Sequence, residues 1–201
     1  MTDTQTALLT REYKGATVPT PGAYEIDAKH TSVEFVARHL MITKVRGRLD
    51  DVSGTILIAE VPEESSVEVS IGAKSVHTGE EQRDQHLRGA EFFDVDEHPT
   101  WMFKSTAVEH VRDNAWKVTG DLTIRGTTRP VVLDTEFDGA GPTPWGPSAL
   151  AFSAATEIDR EDWGLTWNVT LETGGVIVGR KVRIELNVEA LSRQPEDSPA
   201  S

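Results

Sequence analysis

Along most of this chain, apolar and polar residues alternate with a period of two, the signature of strands with one dry and one wet face. The longest run places Val182, Ile184, Leu186, Val188 and Ala190 on one face and Arg183, Glu185, Asn187 and Glu189 on the other. Trp116, Val118, Gly120, Leu122 and Ile124 form a second dry face, and Val131, Leu133, Thr135 and Phe137 a third. Leu150, Phe152, Ala154, Thr156 and Ile158 form another, as do Trp101, Phe103, Ser105 and Ala107. Shorter runs are Val33, Phe35 and Ala37, then Ile56 and Ile58, then Val67, Val69 and Ile71. This pattern predicts about eight strands. Short polar links at Arg112-Asp113-Asn114, Arg125-Gly126-Thr127 and 50–54 predict antiparallel neighbours. No sequence remains for helices to cover the dry face of an open sheet. Such a sheet hides that face by closing on itself or by stacking as two layers. The long runs and tight turns favour the closed barrel.

Eight strands enclose a space that side chains can fill or that holds one small ligand. The predicted inward faces carry small residues, namely Ala37, Ser105, Ala107, Gly120, Thr135, Ala154 and Thr156, among large ones. Two outcomes follow. The small residues either complement the large ones in a packed core, or they leave a tunnel walled by Phe35, Trp101, Phe103, Trp116, Phe137 and Phe152.

One segment breaks the alternation. From Thr78 to Gly89 the chain is very polar and helical in pattern. Thr78 and Glu81 have the spacing of a capping box, and Gly89 suits a left-handed helix stop. Only Leu87 is offered to a core, and Phe92-Phe93 follows as an anchor. A helix this short is marginal in water by itself, so it is expected to sit pinned across the end of the barrel. Arg83, His86 and Leu87 share a face, and Asp84 with Arg88 has the spacing of a surface pair. Arg83 and His86 either supply donors to a ligand's polar head or bond strand-end carbonyls and hold the helix down. Trp163 and Trp167, in the loop 159–168, are expected to cover a rim as plug or as ligand wall.

The 201 residues suit one domain with tails. Residues 1–21 read as a flexible N-terminal arm, 22–191 as the barrel and 192–201 as a disordered tail. A formal charge of −13 argues against nucleic acid as a partner. No apolar run is long enough to span a bilayer, and the N-terminus lacks the pattern of a secretory signal, so a cytoplasmic location without stable membrane insertion is expected. With no cysteine there is neither a thiolate metal site nor a cysteine nucleophile. The six histidines lack metal-ligand spacing. No Gly-x-Ser-x-Gly elbow occurs. No catalytic residue and no metal site are therefore assigned. The alternative of an enzyme acting on a lipid or small metabolite would use His86, Arg83 and Asp84 as acid–base groups.

Several motifs together resemble the YceI-like family of polyisoprenoid-binding, lipocalin-like proteins. They are Tyr24-Glu-Ile-Asp27, His30-Thr-Ser-Val-Glu-Phe35 with His39, and Val45-Arg-Gly47-Arg-Leu49. Most specific is Thr78-x4-Arg83-Asp84-x-His86-Leu87-x4-Phe92-Phe93-Asp94, with Pro99 and Phe103 downstream. Gly120-Asp-Leu-Thr-Ile-Arg-Gly126 and Arg160-x2-Trp163-Gly164 complete it. The resemblance implies an all-β fold: an extended, lipocalin-like, eight-stranded antiparallel barrel with a short helix over about 79–88. It also implies a bound isoprenoid lipid or quinone rather than a catalytic cofactor, and a role in binding, storage or transport. The expected ligand contacts are Phe35, His39, Arg83, His86, Leu87, Phe92, Phe93, Trp101, Phe103, Trp116, Phe137, Phe152, Trp163 and Trp167. An edge strand or exposed indoles would support a homodimer, and relatives in this family often pair. Two features depart from the family: many relatives carry an export leader, and relatives often have Gly-Asp where this chain has Gly179-Arg180-Lys181.

Overall fold

The structure, a computed structural model, describes residues 9–144, 146–170 and 176–193. The strands in chain order are β1 (Thr10–Tyr13), β2 (Ala16–Pro19), β3 (Gly22–Ile26), β4 (Ser32–His39), β5 (Thr43–Leu49), β6 (Val52–Ile58) and β7 (Ser66–Gly72). They continue as β8 (Val76–His77), β9 (Thr100–Arg112), β10 (Ala115–Ile124), β11 (Thr127–Pro142), β12 (Ser148–Asp159) and β13 (Val178–Ser192). The α-helix α1 (Glu81–Arg88) lies between β8 and β9.

The ring runs β3–β6–β7–β9–β10–β11–β12–β13 and back to β3, every pairing antiparallel. It closes as the eight-stranded barrel that the alternation predicts. Two staves are bent. β3 and β4 both lie along β13, which pairs with Tyr24–Ile26 at one end and with Ser32–His39 at the other. β5 and β6 follow them as a second long stave, β5 beside β4 and β6 beside β3. The expected turn at 50–54 is therefore a bend within one stave. β5 and β6 do not pair with each other, and Val52–Gly54 belong to a strand.

Period-two arithmetic holds except where a bulge resets it. On β9, Thr119 opposes Ala107 while Gly120 opposes Ser105, so Thr106 is the extra residue. An inserted residue flips every later side chain to the other face. Ala107, expected inside, is exposed, and Val108 turns inward instead. The other predicted faces sit as expected, with Val182, Ile184, Leu186 and Val188 toward the interior.

The described part of the N-terminal arm is not loose. β1 and β2 form a hairpin around Lys14-Gly15, both residues having positive φ. Ala16 and Val18 are buried against Trp116, with Tyr13 and Val108 alongside. Residues 1–8 and 194–201 lie outside the described part of the chain.

Two-residue hairpin turns with positive φ at both positions favour Asn-Gly. The three-residue β4–β5 link, Leu40–Ile42, contains a turn of the same backbone form, closed by Ile42 N–H donating to the His39 carbonyl at 3.0 Å, yet its centre is Leu40-Met41 at φ 51° and 59°. Met41 is 52% exposed, so little packing offsets the strain of roughly 1–2 kcal/mol per left-handed residue. Leu40→Asn combined with Met41→Gly is expected to raise stability by about 1–2 kcal/mol, read as an increase in the thermal midpoint.

Candidate functional site

The barrel interior contains a cavity of about 260 Å³ lined by residues from both ends of the barrel. Its wall on β10 runs from Trp116 to Ile124, roughly 25 Å of strand. It is a slender bore, and its lining is almost wholly apolar. Phe35, Leu87, Phe92, Phe93, Trp101, Phe103, Trp116, Phe137 and Phe152, all proposed from sequence, stand at this wall. Their neighbours include Val118, Leu122, Ile124, Val131, Leu133, Ile158, Leu165, Ile184 and Leu186.

Small residues act in both of the ways the sequence left open. Ala37, Thr135, Ala154 and Thr156 line the void. Gly120 and Gly47 instead make room for rings. A Cβ on Gly120 would stand 2.5 Å from the Phe103 ring, and one on Gly47 would stand 2.3 Å from Phe35. Ser105 accepts a hydrogen bond from Val67 N–H at 2.9 Å beside the β9 bulge.

Most polar groups at the wall are already bonded. Arg160 is 3% exposed. Its guanidinium donates to the carbonyls of Gly179 and Val178, at 3.1 and 3.3 Å, and to that of Leu165. Burial pulls its pKa below the ordinary arginine value, against the opposing pull of Glu161 and Asp159. Thr31 and Thr135 donate to the carbonyls of Glu189 and Leu133. Glu34 directs its carboxylate to Arg46 at 4.0 Å. The Trp101 indole nitrogen is buried without a hydrogen-bond partner among the described residues.

One mouth is covered by α1, the segment 90–99 and the turn after β12. The helix cap differs from the sequence expectation. Glu80 is the N-cap, accepting from the Gln82 and Arg83 amides at 3.0 and 2.7 Å. Gly89 ends the helix at φ −70°, outside the left-handed region, and Asp94 at φ 51° makes the later turn. Asp84 is not a surface partner of Arg88. It is 1% exposed and accepts from the backbone N–H of Thr78 at 2.8 Å and from the Thr78 hydroxyl. His77 Nδ1 lies 3.2 Å from the same carboxylate. Arg83 donates to the Thr78 hydroxyl and carbonyl at 2.7 and 3.0 Å. Arg88 donates to the carbonyls of Lys74 and Val76.

Arg83, Asp84 and Arg88 therefore tie the helix to the end of β8. Leu87 is the residue of α1 that reaches the cavity. His86 stands outside it, bonded to Glu91 at 3.0 Å and packed edge-on against Phe92 and Trp167, at 5.0 and 4.6 Å between ring centres. Trp163 is a buried plug whose indole N–H donates to the Leu122 carbonyl at 3.0 Å. His39 ends β4 without lining the bore. Arg180, at the position of the family departure, pairs with Asp159 at 2.8 Å and Glu161 at 3.0 Å.

The trio His86, Arg83 and Asp84 does not converge on the cavity, and Arg83 and Asp84 meet on Thr78. Asp27, His30 and Glu189 do gather, their ligand atoms within 4.8 Å of one another. They sit at the bend between β3 and β4, where His30 bonds Asp27 at 2.7 Å. Asp27 raises the His30 pKa, and His30 lowers that of Asp27. The trio reads as an ion-paired staple of that bend.

Sequence reasoning missed the wall residues Val18 and Pro19 and the buried Arg160. The hairpin did leave a signal: Lys14-Gly15, a turn pair, flanked by the alternating Ala16-x-Val18.

Burial pushes the Asp84 carboxyl upward, but the Thr78 hydroxyl, the Thr78 amide and His77 outweigh it and hold the pKa below the ordinary value. The stabilisation is thus present above the unfolded-state pKa and is lost as pH falls through the lowered folded value. Asp84→Ala, which strands the half-buried Thr78 donors, is expected to cost about 2–4 kcal/mol. It should speed amide exchange over residues 78–88, and that deficit should shrink as acid removes the wild-type contribution.

The YceI-like domain model matches residues 24–190. A UPF0312 protein of Staphylococcus aureus (strain N315) is 35% identical over 169 residues, spanning 83% of this chain and 95% of the relative. A UPF0312 protein of Vibrio cholerae is 36% identical over 146 residues, 71% of this chain and 77% of that one. Among solved structures, the YceI protein of Campylobacter jejuni superposes with a TM-score of 0.67 at 29% identity, over 78% of this chain and 90% of that one. A polyisoprenoid-binding domain from Saccharophagus degradans gives 0.60 at 14% identity, over 87% and 100%, a likeness of fold alone.

Proposed function

This chain belongs to the YceI-like family, and we propose that it binds, stores or carries a polyisoprenoid or isoprenoid-quinone-like lipid with the prenyl chain inside the barrel. The observation that carries this reading is the bore itself: a narrow void lined from both ends of the barrel by aliphatic and aromatic side chains, where Arg160, Thr31 and Thr135 are already bonded to backbone carbonyls and the Trp101 indole N–H is buried unpaired among the described residues. Such a wall offers no pattern of donors and acceptors to a polar metabolite. It rewards length and slenderness, at about 0.8 kcal/mol per buried methylene-sized group before the costs of association. Among the described residues no helix is long and apolar enough to cross a membrane.

In this reading Phe35, Leu87, Phe92, Phe93, Trp101, Phe103, Trp116, Phe137 and Phe152 touch the chain. Arg83 and Trp163 act behind them by fixing the end cap. His86 and Trp167 stand one ring further out, behind Phe92, where a head group would emerge. The S. degradans domain shares the fold, and its polyisoprenoid binding agrees with the reading without carrying it. Catalysis by His86, Arg83 and Asp84 has no support from geometry, since two of the three hold the helix and none lines the cavity.

Ala154→Trp places an indole in the wall of the void. It is expected to reduce uptake of an added prenylquinone at least about tenfold, equivalent to 1.4 kcal/mol, while far-UV circular dichroism keeps the strand signature. Native mass spectrometry of the purified wild type should show a co-extracted lipid. Empty protein that also takes up no added prenylquinone would refute the proposal.

A further inference from the structure

The mouth opposite α1 is closed by two pieces of chain. One is the β6–β7 connection, which places Pro62 and Ser65 at the cavity wall. The other is the β1–β2 hairpin, which contributes Val18 and Pro19. Val18 is 1% exposed and Ala16 2%, both packed on Trp116. The match to the YceI-like model begins at residue 24, after the hairpin has ended at Pro19. The floor of this bore is therefore built partly from residues outside the shared domain.

The two pieces are pinned to each other from outside. Arg11 donates to the carbonyls of Ala59 and Glu60 at 3.1 and 2.6 Å, and Lys14 pairs with Glu63 at 2.7 Å. These pins lie off the bore, whereas Val18 and Pro19 line it and Ala16 packs on Trp116. The hairpin thus presents the apolar side chains of β2 inward and cationic side chains outward, and the barrel wall is continuous without it, since β1 and β2 pair only with each other.

We propose that the β1–β2 hairpin is a stopper that sets the greatest length of apolar chain the bore accepts. A chain that ends before Val18 and Pro19 is fully buried. A longer one must leave methylenes in water at the other mouth or displace the hairpin, and it gains nothing from the extra length. The inference deepens the lipid reading and rests on it only in requiring that an apolar chain enters.

The test uses the full chain and n-alkanols of increasing length, with affinity followed by tryptophan fluorescence. Two variants are compared with the wild type. Val18→Asp puts a charge into the floor and unseats the hairpin; Arg11→Ala with Lys14→Glu removes only the outer pins. Wild-type affinity should rise with chain length to a plateau. In both variants the rise should continue beyond that length, with at least an about tenfold gain for the longest chains; in the outer-pin variant, whose substitutions lie off the bore, affinity for the short chains should stay unchanged. The same plateau length in all three proteins, or equal loss of short and long chains in both variants, overturns the stopper. A moved plateau for alkanols together with no binding of prenylquinones would leave the stopper standing and refute the isoprenoid reading.

Discussion

The whole molecule depends on closure of one sheet through β13. This strand pairs with β12 along its length, from Ala149 opposite Leu191 to Asp159 opposite Lys181. Its other edge takes up β3 at one end and β4 at the other. A sheet with one apolar face and no helices to cover it must bury that face against itself. Once β13 joins both edges, every inward residue of every stave faces the same narrow space. Core and binding site then become one object, and changes to the wall act on stability and on ligand volume together.

The same closure leaves two open ends, and the chain treats them differently. At one end a polar helix is held by a buried carboxylate. Asp84 gathers the Thr78 amide and hydroxyl, Thr78 accepts from Arg83, and Arg88 reaches back to the carbonyls after β7. Hydrogen bonds to a desolvated charge are strong and directional, which suits an element with a single apolar residue, Leu87, facing inward. At the other end Val18 and Pro19 face the bore, Ala16 packs on Trp116, and Arg11 and Lys14 bond the β6–β7 connection outside. The first device resembles a fixed lid. The second is a short hairpin with no sheet partner beyond itself.

Whether eight strands enclose a filled core or a void is decided residue by residue. Gly47 and Gly120 are occupied by the rings of Phe35 and Phe103, so their small size is used up in packing. Ala37, Thr135, Ala154 and Thr156 border the cavity instead. Glycine and alanine at inward positions thus have opposite consequences in one barrel. The difference rests on which side chain stands across from each.

Alternation determined that the chain is all-β, the short links pointed to antiparallel neighbours, and run length favoured closure over stacking; most inward residues were named correctly, because period two reports directly which face is dry. The aromatic wall from Phe35 to Phe152 was legible for the same reason. Other features were decided only in three dimensions, because they depend on partners far apart in sequence. The bulge at Thr106 exchanges Ala107 for Val108, and nothing local marks it. Asp84 is the most buried residue of α1 because Thr78 and His77 come to it, although its spacing to Arg88 suggests a surface pair. Arg160 is buried because the start of β13 offers it carbonyls. The hairpin at 10–19 reads as a polar arm until Trp116 provides the surface on which Ala16 and Val18 can be buried.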